Sequence, residues 1–372
     1  MIQPLKWATI LTFLFMAVAV NAQSLNHLYR AGDDGYSCFR IPALITTVKG
    51  TILAFAEARK NGCGDAGDID LVVKRSEDGG KTWGPLQLVW SDSTNTCGNP
   101  APVVDSKTGR IILLSTWNLG SDHEKDIIAG TSQRTRRVFL LLSADDGRSW
   151  SSPKEITPGV KPADWTWYAT GPGRGVQISR GKYKGRFVVP ANHVVAGTKQ
   201  NFSHAIYSDG GDTWKLGGNS PIDSTNESTL AELSDGRLML NMRNASTKRV
   251  RQTAISKDGG QSWLPVQTDT TLIEPVCEAN MIRYEYRGKK EALLFSNPAN
   301  KTARSRMTIR VSYDNGKTWP AAKLLYEGPS AYSCLTVLPN GHIGCFYEAG
   351  LQKPYEGIVW EEVGLEDLEP VK

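Results

Sequence analysis

The octapeptide Ser76-Glu77-Asp78-Gly79-Gly80-Lys81-Thr82-Trp83 returns as Ser143-Ala-Asp145-Asp-Gly147-Arg-Ser149-Trp150, as Ser256-Lys-Asp258-Gly-Gly260-Gln-Ser262-Trp263 and as Ser312-Tyr-Asp314-Asn-Gly316-Lys-Thr318-Trp319. A fifth copy, Tyr207-Ser-Asp209-Gly-Gly211-Asp-Thr213-Trp214, has Tyr where the others have Ser. The steps from Trp to Trp are 67, 64, 49 and 56 residues, a period of whole supersecondary units. Each copy reads as a hairpin turn. Asp accepts backbone N–H bonds, Gly takes a positive φ, the Ser/Thr hydroxyl ties the turn across and Trp packs back on the sheet. Apolar runs such as Ile69-Asp-Leu-Val-Val-Lys, Arg137-Val-Phe-Leu-Leu-Leu and Met307-Thr-Ile-Arg-Val precede the copies, and no long helical period occurs. All-β repeats of about 50 to 65 residues predict a propeller. Five copies and a C-terminal unit near residues 322–362 make it a six-bladed β-propeller.

Composition agrees. The chain has 372 residues, 40% hydrophobic and 22% charged, with 36 Gly and 11 Trp, which excludes a disordered chain, a collagen-like fibre and a coiled coil. The formal charge of +5 comes from 43 basic and 38 acidic residues without a basic run, so no nucleic-acid partner is expected. Lys6, the apolar run from Trp7 to Val20 and small residues at Val20 and Ala22 mark residues 1–22 as a secretory signal peptide. Residues 23–372 then form one propeller domain, of formal charge +4. The apolar run falls short of the roughly 20 residues of a spanning helix, so no stable membrane insertion is expected. Nor does a Cys follow the cleavage point, which excludes a bacterial lipoprotein anchor; export to the periplasm or the medium of a bacterium is expected. Export permits disulfides. Cys63 and Cys97, in Gly-rich loop-like sequence, could pair, whereas Cys38, Cys334 and Cys345 read as buried thiols in strands. Metal-ligand spacing is absent.

Phe39-Arg40-Ile41-Pro42 resembles the motif that opens the catalytic domain of the sialidase (neuraminidase) superfamily, and within it the bacterial exo-α-sialidases of glycoside hydrolase family 33. The octapeptides resemble that family's Asp-boxes, which lie at blade hairpins away from the active site. The resemblance runs from residue 25 to 362 and its motifs follow family order. It implies that Arg40 is one of three Arg that clamp a substrate carboxylate. The segment from Asn226 to Asn244 resembles the one carrying the base, Glu227, and the second Arg, Arg243. Its other acid, Glu232, reads as structural. Ser330-Ala-Tyr332-Ser-Cys-Leu resembles the nucleophile segment, and Tyr347-Glu348 the element whose Glu braces the first Arg. The third Arg is Arg304, with Arg306 and Arg310 as competitors on the same stretch. Phe55-Ala-Glu-Ala-Arg59 resembles a segment whose Arg helps bind the sugar; a loop ion pair is the plainer role for Arg59. Asp65 lies at the family interval for the acid/base, ahead of Asp68 and Asp70. Trp165, Trp167 and Tyr168 could line a pocket for N-acyl or aglycone groups or be blade packing.

The chemistry is coherent. Sialic acid carries an ionised carboxylate on its anomeric carbon, and the planar fork of Arg grips such a group bidentately. A carboxylate nucleophile would be repelled there, and sialidases are the glycosidases that use Tyr instead. Tyr has an ordinary pKa of about 10 and needs a base beside it. A separate acid must protonate the leaving oxygen. The resemblance therefore implies a monomeric, cofactor-independent retaining exo-α-sialidase acting on sialylated glycans. A trans-sialidase, an intramolecular trans-sialidase and a non-catalytic Asp-box lectin are the alternatives.

Overall fold

The computed structural model describes residues 25–370, so the signal peptide expected at residues 1–22 lies outside the described residues. Six four-stranded antiparallel blades follow one another round a ring. Blade one holds Cys38–Thr46, Ile52–Arg59, Ile69–Ser76 and Gln87–Trp90. Blade two holds Thr96–Val104, Ile111–Asn118, Arg137–Ser143 and Lys154–Glu155. Blade three holds Trp165–Thr170, Phe187–Val195, Asn201–Ser208 and Lys215–Asn219, and blade four Thr225–Glu232, Leu238–Asn244, Val250–Ser256 and Gln267–Ile273.

The last two blades differ from the sequence reading. Ala321–Val337 is one strand of 17 residues. From Ala321 it pairs with Ser305–Ser312 as the outer strand of blade five, beside Ala292–Pro298 and Asn280–Tyr284. From Ser330 it pairs with Ile343–Ala349 as the inner strand of blade six. The unit expected near 322–362 is thus shared between two blades. Gly357–Val363 follows Ile343–Ala349, and His27–Arg30, from the N-terminal end, supplies the fourth strand of blade six.

Strands such as Ile52–Arg59 and Ile111–Asn118 are buried at every residue, because both faces meet neighbouring blades. Six hydrophobic clusters lie one between each adjacent pair of blades. The octapeptides seal these seams. In the first, the Ser76 hydroxyl donates to Asp78 at 2.8 Å, and Asp78 accepts the Thr82 N–H at 2.9 Å and the Thr82 hydroxyl at 2.6 Å. Trp83 then packs on Trp360 of blade six, and Trp150 on Phe55 of blade one, so each Trp faces the preceding blade. Gly80 combines φ of 93° with an approach so close that a Cβ would lie 2.4 Å from Trp360. The Tyr207 copy departs from this. Asp209 turns outward to accept from Arg186 at 2.7 Å, and Ser208 accepts the Gly211 N–H at 2.7 Å, the bond that the first Ser makes in the other copies.

Registers place two functions at opposite ends of the blades. Cys38 pairs with Arg59 and Arg59 with Ile69, while Thr46 pairs with Ile52 and Ile52 with Ser76. The octapeptide turns therefore lie at the Thr46 end and the Arg40 and Arg59 side chains at the other. Cys38 is disulfide-bonded to Cys63, and Cys97 is a buried free thiol, so the expected Cys63–Cys97 pair does not form. The loop after Arg59 folds back across the start of its own blade, next to Cys38, whereas Cys97 lies inside a strand. Among the described residues no helix is long and apolar enough to cross a membrane.

Candidate active site

At the end remote from the octapeptides a cavity of about 350 Å³ opens on the propeller axis. Arg40, Arg59, Asp65, Glu227, Arg243, Arg304 and Tyr332 all line it. They come from strands and loops of blades one, four, five and six. Backbone irregularity aims several of them. The register slips between Arg40 and Ala43, between Thr225 and Ser228, and between Ser330 and Ser333, at the residues flanking or containing Arg40, Glu227 and Tyr332. A bulge at such a point turns a side chain that would lie between blades into the central opening. Ile41 sits at φ 60°, a strained value for a β-branched residue, and its N–H donates to Glu348 at 2.9 Å.

Tyr332 is the centre of the arrangement. Its hydroxyl donates to Glu227, with Oη 2.6 and 2.8 Å from the two carboxylate oxygens. Arg243 donates to the same Glu227 carboxylate and, at 3.2 Å, to the Tyr332 oxygen. Burial, then the charge of Glu227, pushes the Tyr332 phenol well above its usual range, against the pull of Arg243 and Arg40. The phenol is therefore protonated in the free protein, and its hydroxyl already donates to Glu227. Glu274 accepts the Asn244 N–H at 2.7 Å and is paired with the fully buried Arg251 at 2.8 Å, which anchors the strand end bearing Arg243.

Arg40 is held by a carboxylate fork. Its Nε and Nη2 donate to the two oxygens of Glu348 at 3.0 and 3.2 Å, and Glu348 also accepts the Tyr332 N–H at 3.2 Å. Glu348 is wholly buried, so it braces from behind. Arg304, expected as the third Arg, reaches the cavity, while Arg306 pairs with Glu327 on the surface and Arg310 does not line the cavity. Arg304 donates to the Tyr355 hydroxyl at 2.7 Å and to the Val276 carbonyl at 3.2 Å.

Asp65 stands at the rim with a side chain 62% exposed. It accepts from Arg59 at 2.8 Å and from Arg40 at 3.3 Å. Partial burial raises its carboxyl, but Arg59 and then Arg40 outweigh that and hold it below the ordinary carboxylate range. Arg59 is buried, and every one of its nitrogens is engaged: Nε and Nη2 with Glu57, Nη1 with Asp65 and the Cys63 and Gly64 carbonyls. It thus forms the loop ion pair and lines the cavity at once. Asp70 is occupied by the Tyr36 hydroxyl at 2.7 Å, and Asp68 does not line the cavity. Glu232 lies at the octapeptide end, accepting from Ser179 and Arg180.

The far wall holds Glu57, the acid of Phe55-Ala-Glu-Ala-Arg59, together with Asn99 and Arg136, which lie in no motif. Glu57 accepts the Asn99 N–H at 2.8 Å, and Gly98 makes room for it, since a Cβ there would lie 2.3 Å from its carboxylate. Arg136 donates to the Asn99 side chain at 2.6 Å and lies over Trp167 at 4.1 Å; burial pulls its guanidinium down to about 10. Trp167 lines the cavity, whereas Trp165 and Tyr168 pack inside the seam between blades two and three. Blade packing thus accounts for Trp165 and Tyr168, and Trp167 alone of the three faces the cavity.

Residues 50–345 match the family model described as a BNR repeat-like domain. A sialidase of Bacteroides fragilis is 34% identical over 91% of this chain and 64% of its own length. A sialidase of Micromonospora viridifaciens is 34% identical over 86% of this chain and 51% of its own. The chain thus spans about two thirds and about half of these curated relatives. A solved Hadza microbial sialidase superposes with a TM-score of 0.83 at 33% identity, covering 92% of this chain and 69% of its own.

Proposed function

The chain belongs to the BNR-repeat sialidase family, and from that premise we propose that it is a retaining exo-α-sialidase that releases terminal sialic acid from glycans through a glycosyl-tyrosine intermediate. The observation that carries this reading is the Tyr332 hydroxyl bonded to both oxygens of Glu227 amid Arg40, Arg243 and Arg304. The substrate carboxylate takes the three guanidinium groups. On Arg40 it replaces Asp65, which keeps its contact with Arg59, and its negative charge beside Asp65 raises that carboxyl towards the range of an acid. Tyr332 Oη bonds to the anomeric carbon as its proton passes to Glu227. The glycosidic bond breaks, and the departing oxygen takes the proton of Asp65. Asp65 then removes a proton from water, the water oxygen attacks the same carbon, and Tyr332 leaves with the proton held by Glu227. Two displacements retain the anomeric configuration. The leader at residues 1–22 fits export of the domain that follows, as a monomer facing sialylated glycans outside the cytoplasm.

Sialyllactose followed by NMR tests the reading. The α-anomer of free sialic acid should appear first and mutarotate afterwards. Tyr332→Phe should lower kcat by about a thousandfold or more with binding kept. The β-anomer first, an anhydro sugar, transfer to added lactose in place of hydrolysis, or binding without release would each replace the proposal with one of its rivals.

A further inference from the structure

The three Arg of the clamp are held in different ways. Arg40 is neutralised by Glu348 and Arg243 by Glu227. Arg304 has no carboxylate partner among the described residues; its side-chain donors go to the Tyr355 hydroxyl and to the Val276 carbonyl. Tyr355 also presents its ring to Arg40, whose Cζ lies 4.2 Å from the ring centroid. One side chain therefore touches two of the three guanidinium groups, one through its edge oxygen and one through its face. Both contacts are attractive: a phenol oxygen accepts from a cation, and an aromatic face attracts one.

The loop that carries Tyr355 is built to be fixed. It joins Ile343–Ala349 to Gly357–Val363. Glu356 accepts the N–H groups of Leu351, Gln352 and Lys353 at 2.9, 2.8 and 2.9 Å, which closes the loop on its own carboxylate. The Glu356 carbonyl accepts the Ala31 N–H at 3.0 Å, which ties the loop to the strand His27–Arg30. Tyr355 thus enters the cavity from a braced support.

We propose that Tyr355 is a positioning residue for the carboxylate clamp: it sets the spacing of Arg304 and Arg40 and, being neutral, leaves Arg304 as the uncompensated charge that the sugar acid meets. A carboxylate in its place would hold Arg304 equally well but would cancel that charge and repel the substrate. The proposal rests on the sialidase reading above, and its test separates the two. Affinity for N-acetylneuraminic acid and for its methyl ester is measured by calorimetry on the full chain, together with KM and kcat on sialyllactose. Tyr355→Phe keeps the ring and removes the oxygen. It should weaken binding of the acid about tenfold, leave the ester within about twofold, and raise KM far more than it lowers kcat. In an Arg304→Gln background the same substitution should add little, because the two act through one contact. A merely structural role would shift the melting temperature or the active fraction and leave the acid-to-ester ratio alone. An unchanged ratio in Tyr355→Phe, with wild-type hydrolysis intact, overturns this proposal alone. A wild-type chain that neither binds the acid nor cleaves sialyllactose overturns the sialidase reading and this proposal with it.

Discussion

Buried ionisable side chains in this protein serve two different ends. At the cavity they are paired and hydrogen-bonded, as with Tyr332 on Glu227 and Arg40 on Glu348. In blade three, His193 and His204 are buried without an acid. Their Nδ1 atoms are 3.0 Å apart, and His204 Nε2 lies 3.0 Å from the Tyr168 hydroxyl. Burial, with the nearby charge of Lys161, pulls His193 down to about 3, and burial takes His204 well below its usual range. Both rings are neutral in the native protein at pH 7, while in the unfolded chain they titrate near 6.5. Below that value the unfolded state binds more protons, so stability present above pH 6.5 is lost as pH falls towards 3, at about 1.4 kcal/mol per unit for each ring. The melting temperature should fall steeply from pH 6 to 4, with His193→Gln giving the shallower curve. A wild-type melting temperature equal at pH 7 and 5 would contradict this. Nothing in the sequence marked this pair, because His193 and His204 meet only when Phe187–Val195 and Asn201–Ser208 are aligned. Arg40, Glu227 and Tyr332 were legible because each sits in a distinctive local motif; Tyr355 acts through Arg304 and Arg40, which only the ring brings near it.

At the scale of the element, the turn and the bulge differ in how far sequence reveals them. The turn is written in residue types. Asp145 accepts the Ser143 and Ser149 hydroxyls at 2.8 and 2.6 Å and the Ser149 N–H at 2.9 Å. Its partial burial works the other way, yet those bonds hold its carboxyl at about 2. Asp145→Ala removes the acceptor of every one of these bonds and should cost about 1–3 kcal/mol by denaturant unfolding. Asp209→Ala breaks only an outward pair with Arg186 and should cost less than about 1 kcal/mol. Equal losses would mean that the degenerate fifth copy is tied as the others are. The bulges left no such trace. Five of the six inner strands slip register near the cavity, at Arg40–Ala43, Gly98–Ala101, Trp165–Tyr168, Thr225–Ser228 and Ser330–Ser333. A strand buried on both faces has no polar alternation for a slip to interrupt, so its apolar run reads the same with or without one. Motif reading therefore found side chains for the site without showing how they turn inward.

The whole ring depends on a contact between the two ends of the chain. His27–Arg30 pairs with Gly357–Val363, a link spanning more than three hundred residues that no local pattern announces. This is why the sequence yielded six blades but assigned the sixth to the C-terminal segment alone. Tyr29 is the keystone of the closure. It is buried, its hydroxyl donates to the Ala54 carbonyl at 2.8 Å, and its ring lies 5.1 Å from Phe39 of blade one and 5.9 Å from Phe346 of blade six. One side chain thus joins the first and last blades in the seam nearest Arg40 and Glu348. Tyr29→Ala should therefore cost about 3–5 kcal/mol, the ordinary loss for a large buried aromatic. The loss should appear across the cooperative transition, because opening one seam exposes the edges of two blades. Signal-peptide cleavage after Ala22 would leave Gln23 to Asn26 ahead of the closing strand, so the exported chain should have an intact mass beginning at Gln23 and keep its full melting temperature. A chain begun at Gly32 lacks the strand and should melt lower than Tyr29→Ala. If that shortened chain melts with the full-length protein, the ring closes without its N-terminal strand and this account of the fold's stability is wrong.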